Sequence, residues 1–111
     1  MKPGVWIGPD EKHPAAKVVL YAYAYGWEAR DPEYPPVDIA RVAVREWFDD
    51  ERVTEDLKDL LMFRWAIDAE GWLNTRAAPP GYLFGWANGV FWLQTQEWWA
   101  QRNGPDQMWL P

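Results

Sequence analysis

The chain of 111 residues contains no cysteine, no serine and a single histidine. Each absence removes a class of chemistry. Without Cys there are no disulfides, no thiolate nucleophile and no Cys-based metal site. Without Ser as well, the hydroxyl nucleophiles other than Tyr reduce to Thr54, Thr75 and Thr95, so Ser and Cys hydrolase machinery is excluded. His13 alone builds no His-rich metal site, and beside Pro14 it reads as a loop or capping residue. Gly81 and Gly85 lack the following Lys and the strand–loop–helix context of a phosphate cradle, so nothing supports nucleotide-dependent catalysis. No cofactor and no metal is expected.

Long apolar runs are missing too. No stretch approaches the ~18 consecutive apolar residues of a membrane span. The segment MKPGVWIGPDEKHP has no apolar core of a signal peptide, so the expected location is cytoplasmic and no membrane partner is expected. Basic residues are outnumbered: 11 Lys and Arg against 17 Asp and Glu give a net charge of −6. That balance disfavours direct contact with a phosphate backbone, which needs a Lys/Arg surface. It suits a protein partner with a basic surface.

What the chain has in excess is tryptophan, ten residues of it. Two uses compete: a small core filled by a few very large side chains, or exposed rings that stack on a ligand or anchor an interface. The length fits one compact domain, residues 1–111, with a real core. Richness in Ala, Arg, Pro, Gly and Trp fits a GC-rich genome, and a small acidic chain of this kind suits an accessory protein of a phage or mobile element.

Aromatic density peaks between Gly81 and Trp99. Asn88-Gly89 has the residue types of a type I′ turn, which needs positive φ at both positions. Taken as a hairpin, that turn sets the register. Trp86 faces Phe91, Phe84 faces Leu93 and Tyr82 faces Thr95 on one side. Ala87 faces Val90, Leu83 faces Gln94 and Gly85 faces Trp92 on the other, with the Trp92 indole placed to cover the bare glycine. Neither side is polar, so the ribbon must be sandwiched or must offer an apolar face to a partner. The competing reading, one helix over residues 89–102 capped by Asn88, is less favoured; a short helix from Thr95 is expected instead.

Elsewhere, GVWIG at Gly4–Gly8 is a candidate edge strand. Pro14–Tyr25 carries both strand-like alternation and a helical stripe of Ala15, Val18, Val19, Ala22 and Tyr25. Pro14 at the first helical position and Gly26 past the end tip it to helix. A brief strand is expected at Trp27–Ala29, then a proline-broken loop. Val37–Phe48 reads as a helix entered through Pro36, with Ile39, Val42, Ala43 and Trp47 inward, and Asp49-Asp50-Glu51 closing it. Thr54–Glu70 is the clearest helix: Thr54 is the N-cap, Glu55 and Asp56 complement the first-turn dipole, and Gly71 is the stop. Its facing rows are Leu57, Leu60, Leu61, Arg64, Trp65 and Asp68, with Met62 and Phe63 beside them. The two stretches Tyr25-Gly26-Trp27 and Glu70-Gly71-Trp72 look like similar helix exits. Trp109 and Leu110 in the irregular tail should be docked on the body. The expected fold is α+β, about three helices packed on a small antiparallel sheet centred on the C-terminal hairpin.

Carboxylates crowd one corner: Glu46, Asp49, Asp50, Glu51, Glu55, Asp56 and Asp59, with only Arg45, Arg52 and Lys58 among them. Such a cluster is a solvated helix–loop–helix corner, a charged surface for a basic groove, or an acid–base pair beside Trp platforms. The expected function is a non-catalytic protein-binding regulator or inhibitor that uses this corner together with Trp86, Trp92, Trp98 and Trp99. The alternative is a small-ligand or carbohydrate-binding module working through exposed Trp; a carboxylate-dependent hydrolase is third. Self-association through the aromatic hairpin is a further option.

Overall fold

The computed structural model describes residues 1–29, 31, 33–46 and 54–103. The fold is α+β. Its order is β1 (Gly4–Ile7), α1 (Pro14–Ala24), α2 (Pro36–Glu46), α3 (Glu55–Leu60), α4 (Ala66–Trp72), β2 (Tyr82–Ala87), β3 (Val90–Thr95) and α5 (Gln96–Asn103). The chain falls into two compact units: a helical unit, Asp10–Ala77, and a sheet unit that joins Met1–Pro9 to the chain from Ala78 onward.

In the helical unit, α1 packs against α2 and against the long rod that begins with α3. The inward residues of α1 are Ala16, Val18, Val19 and Ala22. Val18, Val19 and Ala22 are the expected ones; Ala16 takes the place of Ala15, which is half-buried, and Tyr25 at the C-cap is 47% exposed. α2 buries Ala40 and Ala43, with Ile39 and Val42 half-buried beside them. Alanines at these crossings let helix axes approach closely. Helix α1 ends as expected at Gly26, whose φ is +116°. Gly26 N–H donates to Tyr23 O (3.0 Å) and Trp27 N–H to Ala22 O (2.9 Å), which is the Schellman arrangement. That tie occupies the Trp27 amide, and residues 27–29 form no strand. Trp47, Phe48, the Asp49–Glu51 closure, Trp109 and Leu110 lie outside the described residues.

The rod is where sequence and structure part. Thr54 caps it as expected, its hydroxyl accepting the Leu57 N–H at 3.3 Å. Gly71, however, does not stop it. The helix runs unbroken through π-helical Leu61–Trp65, α4, and a second π-helical stretch, Leu73–Ala77. Ala66 N–H donates to Leu61 O, five residues back. The buried side chains Leu57, Leu61, Trp65, Ala69 and Leu73 recur every fourth residue. At 3.6 residues per turn, four such steps would carry an α-helix about 160° off its starting face. A wider turn absorbs an extra residue and keeps the stripe inward. Burial of Leu73 therefore rewards continuing past Gly71, and the rod ends only before Pro79, where the preceding residue is pushed out of helical conformation.

In the sheet unit the strand order is β1-β3-β2, all antiparallel. The hairpin has the expected register, Tyr82↔Thr95 through Ala87↔Val90. Asn88 (φ +54°) and Gly89 (φ +73°) make its turn. Pro80-Gly81 turns the chain into β2, with Gly81 at φ +84° and Tyr82 N–H on Pro79 O at 3.0 Å, the features of a type II turn. β1 is the expected edge strand. A bulge between Val5 and Ile7 sets two successive side chains toward one face: Ile7, opposite Phe91, and Trp6, whose ring meets Phe84 edge-on at 4.9 Å. That face holds the buried Ile7, Phe84, Phe91 and Leu93.

The other face is covered by α5. Thr95 ends β3 and caps α5 at once, its hydroxyl accepting the Trp98 N–H at 3.0 Å. Strand and helix are thus joined without a loop. The ring over Gly85 is Trp99, not Trp92: a Cβ there would lie 3.0 Å from the Trp99 indole. Trp92 faces Gly85 in register, but its indole N–H runs along the strand to Ala87 O (3.3 Å).

Candidate functional site

The four tryptophans singled out in the sequence do not share a surface. Trp86 lies on the Phe91 face and is 42% exposed, its ring 4.8 Å from that of Phe91. Trp92, Trp98 and Trp99 lie on the opposite face, as the pairing and ring contacts require. Trp99 is 9% exposed and donates its indole N–H to Leu83 O at 3.0 Å. Trp98 is half-buried, wedged between Trp92 (5.3 Å) and Trp99 (4.9 Å), with the Arg102 guanidinium 5.5 Å above its ring. A buried indole N–H must find an acceptor. Trp92 and Trp99 find theirs in backbone carbonyls of the same unit, Ala87 O and Leu83 O.

The acidic corner divides as well. Asp49, Asp50 and Glu51 lie outside the described residues. Glu55 is engaged by Lys58 at 3.2 Å. Asp56 and Asp59, by contrast, line an open groove of about 450 Å³ together with Glu33, Tyr34, Leu60, Phe63 and Arg64. One wall is the loop ahead of α2; the other is the outer face of α3 and the π turn. Its most exposed ring is Phe63, at 68%, followed along the rod by Ile67 at 58%, with Met62 beside them at 42%. Phe63 falls off the inward four-residue stripe, and that is the signal by which sequence alone could have found it.

Asp31 ties the two walls together. Its Oδ1 accepts the backbone N–H groups of Glu33 (2.9 Å) and Tyr34 (3.2 Å), folding the loop into an Asx turn. Its Oδ2 accepts the Trp65 indole N–H at 3.3 Å and lies 3.6 Å from the Arg64 guanidinium. The carboxyl is held below the usual Asp range, chiefly by the Glu33 amide. Loss of solvent opposes this, while the Tyr34 amide, the Trp65 indole and Arg64 add to it. The consequence for the groove is electrostatic. Arg64 is offset by Asp31, whereas Glu33, Asp56 and Asp59 have no ion-pair partner among the described residues. Glu33, Tyr34 and Asp31 carry no signal in the sequence, because a proline-broken loop has no periodicity.

A second depression, of about 350 Å³, is lined by Asp10, Glu11, Lys12, His13, Lys17 and Arg45 among others. Its charges are mixed, and Lys17 is already paired with Glu11 at 3.1 Å. His13, at the N-cap of α1, has its pKa lowered mainly by burial, then by Lys12, with Glu11 opposing and Lys58 adding. Among the described residues no cluster of three or more His, Asp or Glu is arranged to hold a metal ion, and no helix is long and apolar enough to cross a membrane. Comparison of the chain with protein-family models, with curated proteins and with solved structures finds no match.

Proposed function

We propose that the chain is a non-catalytic binding protein, a regulator or inhibitor acting in the cytoplasm on a protein partner with a basic surface. The contact surface in this reading is the groove of Glu33, Tyr34, Asp56, Asp59 and Phe63. The observation that carries it is Phe63: a phenylalanine 68% exposed, in a groove it shares with three carboxylates that have no ion-pair partner among the described residues. An aromatic ring with no polar handle is costly to leave in water and is a favoured anchor at interfaces. Carboxylates around it raise the association rate with a cationic partner and disfavour an acidic one.

A photo-crosslinking side chain placed at position 63, in cells that make the protein, tests this. The expected result is one dominant cross-linked protein, lost when Asp56 and Asp59 are both changed to Lys. The same probe at position 86 of the sheet unit should not capture it. Equal capture from both positions, or capture indifferent to the charge reversal, would count against the reading.

A further inference from the structure

We infer that the residue this groove takes from its partner is an arginine side chain, presented by a peptide segment. The inference rests on the binding reading above and narrows it to one chemistry. A groove for an aliphatic anchor would be rimmed by neutral or compensated groups, because burying an apolar side chain beside uncompensated carboxylates strips their water without return. Here the groove combines two aromatic rings, Tyr34 and Phe63, with the carboxylates of Glu33, Asp56 and Asp59, and its own cation is held by Asp31. Rings supply a cation–π face and carboxylates supply acceptors; among the described residues the one cation of the lining, Arg64, is turned to Asp31 at 3.6 Å. Leu60 and the flank of Phe63 offer an apolar track for the methylene stem of a long side chain. Arginine suits the set better than lysine. Its guanidinium is planar, weakly hydrated, able to stack on a ring, and carries donors for more than one carboxylate at once. The size, about 450 Å³, is at the small end of ligand sites and fits one side chain rather than a folded element.

The test needs no variant that risks misfolding. Three blocked pentapeptides, Gly-Gly-X-Gly-Gly with X as arginine, citrulline or lysine, are titrated into the intact protein while the ring resonances of Phe63 and Tyr34 are followed by NMR. Arginine should shift both rings with saturation. Citrulline, the same shape without the charge, should shift neither, and lysine should bind more weakly. Asp56→Asn and Asp59→Asn should each weaken the arginine peptide by up to about fivefold, the range of an exposed ion pair. Equal shifts from citrulline, or from lysine, overturn the inference. If the position-63 cross-link depends on Asp56 and Asp59 but the arginine peptide moves neither ring, the binding surface stands and the arginine anchor falls.

Discussion

The two units differ in how they handle most of their large apolar side chains. In the sheet unit three of the rings that look like interface anchors are tied internally: Trp99 donates to Leu83 O, Trp92 to Ala87 O and Trp6 to Lys2 O at 2.9 Å, while Trp86 stays 42% exposed. In the helical unit, a rod of unremarkable composition leaves Phe63, Ile67 and Met62 facing water. The difference lies in what each ring can satisfy at home. An indole has one donor, and a nearby carbonyl settles it; a phenyl ring has nothing to satisfy and gains only by being covered. Residue type alone therefore does not tell which rings face water; exposure does.

The comparison breaks most visibly at Trp99. Truncation to Ala should cost about 3–5 kcal/mol, since it empties the cover over Gly85 and strips the face of β2. Gly85→Val should be severe too, because its Cβ would meet the Trp99 ring at 3.0 Å. Chemical denaturation of both variants checks this. If Trp99→Ala unfolds at the wild-type midpoint, the ring is an anchor after all.

A smaller contrast separates two glycines that the sequence presents as alike. Gly26 holds φ +116° and ends α1; Gly71 lies inside a continuing helix at ordinary φ, with open space where a Cβ would go. Gly26→Ala should destabilise by about 1 kcal/mol, and Gly71→Ala should stabilise by roughly 0.5–1 kcal/mol. Thermal melts of opposite sign are expected. Shifts of the same sign would mean that Gly71 is a helix stop.

These two glycines also show what was legible and what was not. The hairpin register could be read because Asn88-Gly89 is a local signal, settled by backbone sterics within four residues. The caps at Thr54 and Gly26 are local in the same sense. The length of the rod was not, because a π turn is not preferred by any residue. It follows from the spacing of Leu57, Leu61, Trp65, Ala69 and Leu73 and from what burial of that stripe gains. Half of the candidate site was legible on the same terms. Asp56 and Asp59 stand out as local charge, but Glu33 and Tyr34 join them through the contacts of Asp31 with Trp65, 34 residues along the chain, and with Arg64.

That bond has a pH signature. An unfolded Asp titrates near 3.9, and Asp31 in the fold titrates lower. The unfolded chain therefore takes up the proton first as pH falls. The stability from Asp31 is complete above the unfolded value and disappears as pH drops through the folded one. Asp31→Asn should lower the urea midpoint at pH 6, and the gap from wild type should narrow as pH falls below the unfolded value. A gap constant across that range would mean the ionised carboxylate does not hold the loop.

The smallest expected effect on stability is also the sharpest test of the contrast between units. Phe63→Ala removes a ring that is two-thirds exposed and bonded to nothing, so unfolding should stay within about 0.5 kcal/mol of wild type. Its consequence should appear in binding to the cross-linked partner, and in one rate constant. An apolar anchor sets residence time, so dissociation should quicken while association barely changes. Asp56→Lys with Asp59→Lys should do the reverse, slowing association and flattening its dependence on salt, because exposed carboxylates act over about a Debye length before contact. Stopped-flow or surface-based kinetics at two ionic strengths separate the outcomes. If Phe63→Ala destabilises the fold like Trp99→Ala, the ring is part of the core and the contrast between the units dissolves. If it leaves both rates untouched, the exposed ring is an ordinary surface residue and the charge alone brings the partner in.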